Sequence, residues 1–452
     1  MTGTMKKDHQ ADLGTAPVGK LLRSMTIPSI VGVMAYNLYN IFDTLFISLG
    51  AGINAIGGVS VSFPLFLFLS AVSSTLGSGG ASVMSRALGE KNYEKANKTA
   101  ANTFLVFYTM AILTTVIGLL FLDDLLLMMG ITEELLPYAG AYTKIILIGA
   151  VTSTGFSSLI RAEGSSTYAM LIWVIPMVTN VVLDFIFILG LHWGVTGAAA
   201  ATVLSQCISM GMSIYYFFLS GKSFLHLSLR HFIPDRKLIS EILLIGIPSF
   251  IQMSGMSLSI IVINRFLKAY GGTLPISAYG IASKIYTFFL IPITGLTQGL
   301  QPVIGYNKGA RRPDRVREAL KLSSCVSVGY GIAVCVITFL FSNEILRIFV
   351  SDTQVADLGT RILTIINSGL LFSGPQYVQA AYFQAVGRKW TSLLLALCNY
   401  VIGFLPLLLV LTKIYGLDGV WYALPSSAIL TLALSCVLLM KGTQFKINKA
   451  AQ

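Results

Sequence analysis

The sequence predicts an all-α integral membrane protein with twelve transmembrane helices arranged as two six-helix bundles. Three observations predict it: scarcity of charge, the number and length of the apolar runs, and an internal repeat about 220 residues long. Of 452 residues, 55% are hydrophobic and 11% charged, whereas a soluble globular chain carries about 25% charged residues. So little charge cannot coat a water-facing surface, and most of the surface must face lipid.

Crossing a hydrocarbon core of about 30 Å takes about 20 residues at 1.5 Å each. Twelve apolar runs reach that length, at 24–49, 56–84, 101–121, 138–160, 167–190, 195–219, 240–267, 276–305, 319–341, 358–386, 391–412 and 417–440. The first is too long for the apolar stretch of a signal peptide, and it continues through Tyr36, Asn37, Asn40 and Asp43, so it is expected as a retained helix. The longest polar stretches, the first 23 residues and 220–240, are too short for a folded catalytic domain.

The net charge of +12 raises nucleic acid as a partner, and the positions of the 31 Lys and Arg answer it. With the N-terminus inside, 23 fall on inside segments, beginning with Lys6, Lys7, Lys20 and Arg23 and ending with Lys441, Lys446 and Lys449. Only Arg265, Lys268, Arg347 and Lys413 fall outside. The positive-inside bias therefore places both termini in the cytoplasm. The densest cluster, Arg311, Arg312, Arg315 and Arg317, reads as a topology signal beside anionic lipid rather than a nucleic-acid surface.

Enzyme chemistry finds little support. The five cysteines, at 207, 325, 335, 398 and 436, lie in apolar runs without a CxxC and are expected as small packing residues. The histidines at 9, 192, 226 and 231 show no metal-ligand spacing. Gly221-Lys222-Ser223 lacks the earlier glycine of a phosphate loop, where Tyr216 stands, so no ATP site is expected. Trp193, Trp390 and Trp421 fall near run ends and are expected as interfacial anchors.

The halves repeat. Ile27-Pro28-Ser29 recurs as Ile247-Pro248-Ser249, Gly79 and Gly89 match Gly299 and Gly309, Ala162-x-Gly164 matches Ala385-x-Gly387, and Gly194 and Gly197 match Gly416 and Gly419. Six spans per half is an even number, so both halves run in the same sense, as a parallel repeat about an axis normal to the membrane. The expected division is an N-terminal bundle over 1–225 and a C-terminal bundle over 226–452, joined by a cytoplasmic linker near 220–240 with a cavity between the bundles.

Of the 19 Asp and Glu, only Asp43 and Asp184 lie well inside apolar runs. A carboxylate near the bilayer centre costs about 2.5–3.5 kcal/mol on insertion scales, so such groups face a cavity and carry function. Each lies six residues before the outer end of its run, and Thr202, seven residues past the start of an inward run, reaches the same depth. Asn180 shares a helix face with Asp184, as Tyr39 and Asn40 do with Asp43. One polar pocket in the outer half of the N-terminal bundle follows; the competing reading is that these groups merely satisfy one another across helix interfaces. Two neighbouring carboxyls can exchange a bound cation for a proton. Pro28 lacks an amide hydrogen and kinks the first helix, as a hinge or as a static bend.

These residues resemble the multidrug and toxic compound extrusion (MATE) transporters, in their DinF-like or MepA-like bacterial branch. The resemblance rests on Leu38-Tyr39-Asn40-Ile41-Phe42-Asp43-Thr44, Arg161-Ala162-Glu163-Gly164, Asn180-x-x-Leu183-Asp184, Gly194-x-x-Gly197-Ala198-Ala199 with Ala201-Thr202, and Gln384-Ala385-x-Gly387-Arg388. Two positions depart from relatives: Gln252 replaces the helix-7 acid of the NorM-like branch, and Ser157 stands where many relatives carry Asn.

The resemblance implies a V-shaped two-bundle architecture in a bacterial cytoplasmic membrane. It further implies secondary efflux of cationic amphipathic drugs and dyes by alternating access, in exchange for protons or sodium, without cofactor or ATP and with a monomer as the working unit. It assigns ion coupling, including a sodium site if sodium is the coupling ion, to Asp43, Asn180, Asp184 and Thr202, with Tyr39 and Asn40 nearby and Pro28 as the hinge. Tyr36, Trp173 and Met177 share faces with the acids, and Gln252, Met253 and Met256 offer adaptable surface on helix 7, so these six are the candidate substrate contacts, with core packing as the competing role. A flippase for lipid-linked substrates remains the nearest alternative, although it would want several mid-span arginines. A membrane-embedded enzyme lacks a nucleophile set, and a receptor leaves the paired acids unexplained.

Overall fold

The computed structural model describes residues 13–51, 53–129, 131, 135–152, 156–350 and 352–450, the side chains of 53–56, 60–64 and 442–450 excepted. Lys6, Lys7 and His9, and the side chains of Lys446 and Lys449, lie outside the described residues. Every regular element among the described residues is helical. Among the described residues eleven helical stretches are long and apolar enough to cross a membrane, and the count is twelve if the pair Thr353–Ser368 and Leu370–Ala385, bent by 40°, is one span. The expected all-α membrane protein is the one observed.

The helices are α1 (Val18–Gly50), α2 (Ile53–Gly89), α3 (Tyr93–Leu120), α4 (Leu122–Met128), α5 (Leu136–Ile148), α6 (Ser157–Ala162), α7 (Ser166–Asp184) and α8 (Gly194–Ile214), followed by α9 (Arg236–Gly271), α10 (Thr273–Gly309), α11 (Pro313–Phe349), α12 (Thr353–Ser368), α13 (Leu370–Ala385), α14 (Lys389–Leu397), α15 (Phe404–Tyr415) and α16 (Asp418–Ala450). Their ends follow local chemistry. The Asn92 side chain accepts from the Lys95 amide to cap α3, and Asp352 caps α12 through Gln354 and Val355.

The repeat is visible in the backbone. Gly164 and Gly387 take φ of 93° and 79°, and Gly194 and Gly416 take 57° and 59°, the left-handed region where glycine avoids a Cβ clash. Around the first pair the hydrogen bonds also match: Ser165 N donates to Ile160 O at 3.2 Å, and Arg388 N to Phe383 O at 2.9 Å.

Contacts divide the chain into two compact units. The first holds residues up to Gly246 together with Gly305–Arg312, the last turn of α10 and the turn after it. Its core is built on Phe104, Phe156 and Phe217, packed edge to face. The segment after α8 is bound down in this unit: Asn102 donates to the His231 and Ile233 carbonyls and accepts from the Asp235 amide, His231 meets Glu94 at 3.3 Å, and Glu241 pairs with Arg86 at 3.1 Å.

The second unit comprises Ile247–Ile304 and the chain from Pro313 onward, with a core on Ile263, Leu267, Phe404 and Trp421. Trp421 corrects an expectation: Trp193 and Trp390 are exposed, but Trp421 is fully buried and stacks on Tyr279 at 5.8 Å. Its place one turn into α16 marks depth, and only packing shows that it faces inward. Of the cysteines only Cys398 is buried, while Cys325 is exposed, so packing does not account for all five.

Candidate ion-coupling site

The first unit brings the predicted acids together on three helices. Asp43 comes from α1, Asn180 and Asp184 from α7, and Thr202 from α8. Asp43 is 9% exposed, Thr202 1%, and Asn180 and Asp184 are fully buried. Asp184 lies within electrostatic reach of Asp43. The Tyr39 hydroxyl donates to Thr202 Oγ1 at 2.9 Å and ties α1 to α8 at this level.

The polar groups do not satisfy one another. Asp43 Oδ1, both Asp184 carboxyl oxygens, and both Oδ1 and Nδ2 of Asn180 are buried without a hydrogen-bond partner. An unsatisfied buried polar atom costs about 1–3 kcal/mol, more when charged. Five at one place are a cost that interface packing would not retain. Four of the five are oxygens, the donor set that a proton or a small hard cation takes. Immediately past Asp184 the helix opens into a π-helical turn, Phe185–Gly190, a wider winding that often accompanies functional positions.

Sequence reasoning missed one neighbour. Tyr142 on α5 is 8% exposed and lies within electrostatic reach of both Asp43 and Asp184. It sits in an apolar run, and only packing gives the rotation of α5 that turns it toward the acids. Asn40, one turn before Asp43 on α1, donates from Nδ2 at 2.8 Å to the Tyr36 carbonyl of its own helix.

The other candidates distribute as follows. Tyr36 and Trp173 meet edge to face at 5.1 Å, and the indole Nε1 donates to Ser157 Oγ at 3.1 Å. Ser157 thus serves an aromatic side chain. Met177 is half-buried on α7. Gln252, Met253 and Met256 belong to the second unit, where Gln252 hydrogen-bonds Tyr377, itself bonded to Tyr400 at 2.7 Å. Pro28 lies inside α1, which remains helical through it; one residue on, the Ser29 hydroxyl donates to the Met25 carbonyl at 2.8 Å, and Ser166 of α7 donates to the same carbonyl at 2.8 Å.

A third buried acid was read from sequence as a loop residue. Glu163, in the turn between the spans ending at Ala162 and starting at Ser166, is fully buried. Tyr216 donates to its Oε2 at 2.7 Å and Ser223 to its Oε1 at 2.8 Å. Burial raises its pKa from 4.5 to about 7 against the pull of these donors. Among the described residues no three His, Cys, Asp or Glu side chains converge as a metal site.

Paired acids and an amide lie without hydrogen-bond partners inside an apolar helical bundle of membrane-spanning length. A family model described as MatE matches residues 28–186 and 248–409, more than half the chain. The multidrug export protein MepA of Staphylococcus haemolyticus (strain JCSC1435) is 28% identical over 456 aligned positions, covering 99% of each chain. Solved structures of MATE in the bent and in the straight conformation superpose with TM-scores of 0.91 and 0.92 at 25% identity, over 98% of this chain and 99% of theirs. The chain belongs to the MatE family, and it is a multi-pass secondary transporter rather than an enzyme.

Proposed function

We propose that the protein exports cationic amphipathic compounds across a bacterial cytoplasmic membrane, by antiport against a cation bound at Asp43, Asn180 and Asp184. The observation that carries this reading is the set of five buried, partnerless polar atoms on those three residues. The relative named a multidrug export protein supports the substrate class. The solved bent and straight conformations support alternating access with Pro28 as the flexible point of α1.

The residues divide the work. Asp43 and Asp184 supply the charge that holds a proton or sodium ion, and Asn180 and Thr202 supply neutral oxygens. Tyr39, bonded to Thr202, keeps α1 and α8 in register while the site loads. Cation entry from outside displaces the organic cation, and its release inside resets the pocket. Moving one charge through about 100 mV yields ~2.3 kcal/mol, enough for roughly 50-fold accumulation without ATP.

The test is uptake of a fluorescent cationic dye into inside-out proteoliposomes under an imposed proton gradient without sodium. Wild-type uptake abolished by Asp184→Asn is expected. Uptake that survives Asp184→Asn overturns the site assignment, and wild-type uptake that appears only with sodium replaces the proton with sodium as the coupling ion.

A further inference from the structure

Two turns 220 residues apart in sequence lie side by side within the first unit. One ends α2, the other ends α10, and both close in the same way. Lys91 N donates to Leu88 O and Asn92 N to Ala87 O, at 3.0 and 2.9 Å; Arg311 N donates to Lys308 O and Arg312 N to Asn307 O, at 3.2 and 2.9 Å. The helices cross backbone to backbone, because a Cβ on Gly89 would stand 2.0 Å from Tyr306 O and one on Gly309 2.1 Å from Arg86 O.

Lys91 and Arg311 occupy the left-handed position of their turns, with φ of 57° and 58°. Glycine is the ordinary occupant there, yet each half of the repeat places a cation at it. Between the turns, with Gly14 and Thr15 as a further wall, lies a cavity of about 600 Å³ lined by Lys91, Arg311, Arg312, Glu90 and Tyr306. Arg312 is tied to the Gly14 carbonyl. Lys91 and Arg311 are exposed and make no ion pair with any described carboxylate.

We propose that this cavity binds the headgroup of an anionic phospholipid. A planar guanidinium and a compact ammonium lining one cavity suit a phosphodiester. Glu90 offers an acceptor to a headgroup hydroxyl. The cavity lies where α2 and α10 end, on the face that the Lys/Arg bias assigns to the cytoplasm, and the half-buried Tyr306 ring in its wall suits headgroup depth. This assignment is independent of the transport reading and rests only on the membrane fold.

The full-length protein is tested in neutral-lipid nanodiscs, which expose both faces, so orientation does not enter. Its melting temperature is followed while phosphatidylglycerol, phosphatidylcholine or inorganic phosphate is added, for wild type, the double variant Lys91→Gly/Arg311→Gly, and Lys222→Gln as an exposed basic control on the same side. Glycine fits both left-handed turns and spares the helix crossing, so the double variant folds. Phosphatidylglycerol is expected to stabilise wild type where phosphatidylcholine does not, the double variant to bind it about thirtyfold more weakly, and Lys222→Gln to change binding less than about threefold. A full phosphatidylglycerol response in the double variant, or an equal loss in Lys222→Gln, would overturn the site. Equal protection by inorganic phosphate would make the ligand a free anion and overturn the lipid assignment.

Discussion

At the scale of single residues, burial separates groups that sequence position alone treats alike. Glu163 sits in a turn, yet it is fully buried with a pKa raised from 4.5 to about 7. Below pH 4.5 the carboxyl is protonated whether folded or unfolded, and its contribution to stability is whole. As pH rises from 4.5 through about 7, the unfolded chain ionises first and stability falls. Melting temperature should therefore decline between pH 5 and 8 more steeply in wild type than in Glu163→Gln; equal slopes would refute the assignment. At the acid pocket, Tyr39→Phe removes the 2.9 Å bond to Thr202 and should cost about 1 kcal/mol, read by thermal unfolding, along with slower dye transport. A variant with unchanged melting would show that the bond contributes nothing net.

At the scale of elements, glycines in the same helical setting play opposite parts. A Cβ on Gly79 would lie 2.0 Å from Ile242 O, and one on Gly246 2.0 Å from Thr75 O, so α2 and α9 touch through backbone within the first unit. Gly140 and Gly211 meet nothing within 4 Å. Gly79→Ala should destabilise by about 1–3 kcal/mol, since it forces helices apart. Gly211→Ala should be neutral or stabilise by about 0.5–1 kcal/mol through a less entropic unfolded chain. Melting curves of the two variants in one detergent compare them directly, and a similar loss in both would show that helix propensity, not crowding, sets the cost. Pro28 belongs to this scale as well, because the hydroxyls of Ser29 and Ser166 both converge on the Met25 carbonyl beside it. Pro28→Ala restores an amide donor to this turn, and the hinge reading expects slower dye transport with the fold intact.

At the scale of the whole molecule, twelve spans and the Lys/Arg bias imply that the short helix Leu122–Met128 lies outside. Met128 is 79% exposed. Met128→Cys in a cysteine-free background should react with an impermeant maleimide added to intact cells; labelling only after permeabilisation would invert the topology. The fold was largely legible in the sequence because lipid permits few alternatives: each span must satisfy its own backbone, and length plus apolarity then count the helices. The acids were legible for the same reason, since an unneeded charge in hydrocarbon is costly to keep.

Other features had no such signature. Sequence gives a residue's depth along a helix but not the direction it faces once helices pack. Tyr142 and Trp421 are aromatic residues in apolar runs; packing turned one toward two carboxyls and the other into a core. The sequence by itself determined the membrane class, the approximate number of spans and the two acids within them, because each follows from the free energy of placing a side chain in hydrocarbon. Only the tertiary structure decided that Asp43, Asn180 and Asp184 meet without satisfying one another, that Glu163 is buried, and that two basic turns 220 residues apart share one cavity, because those outcomes depend on how helices distant in sequence rotate and approach.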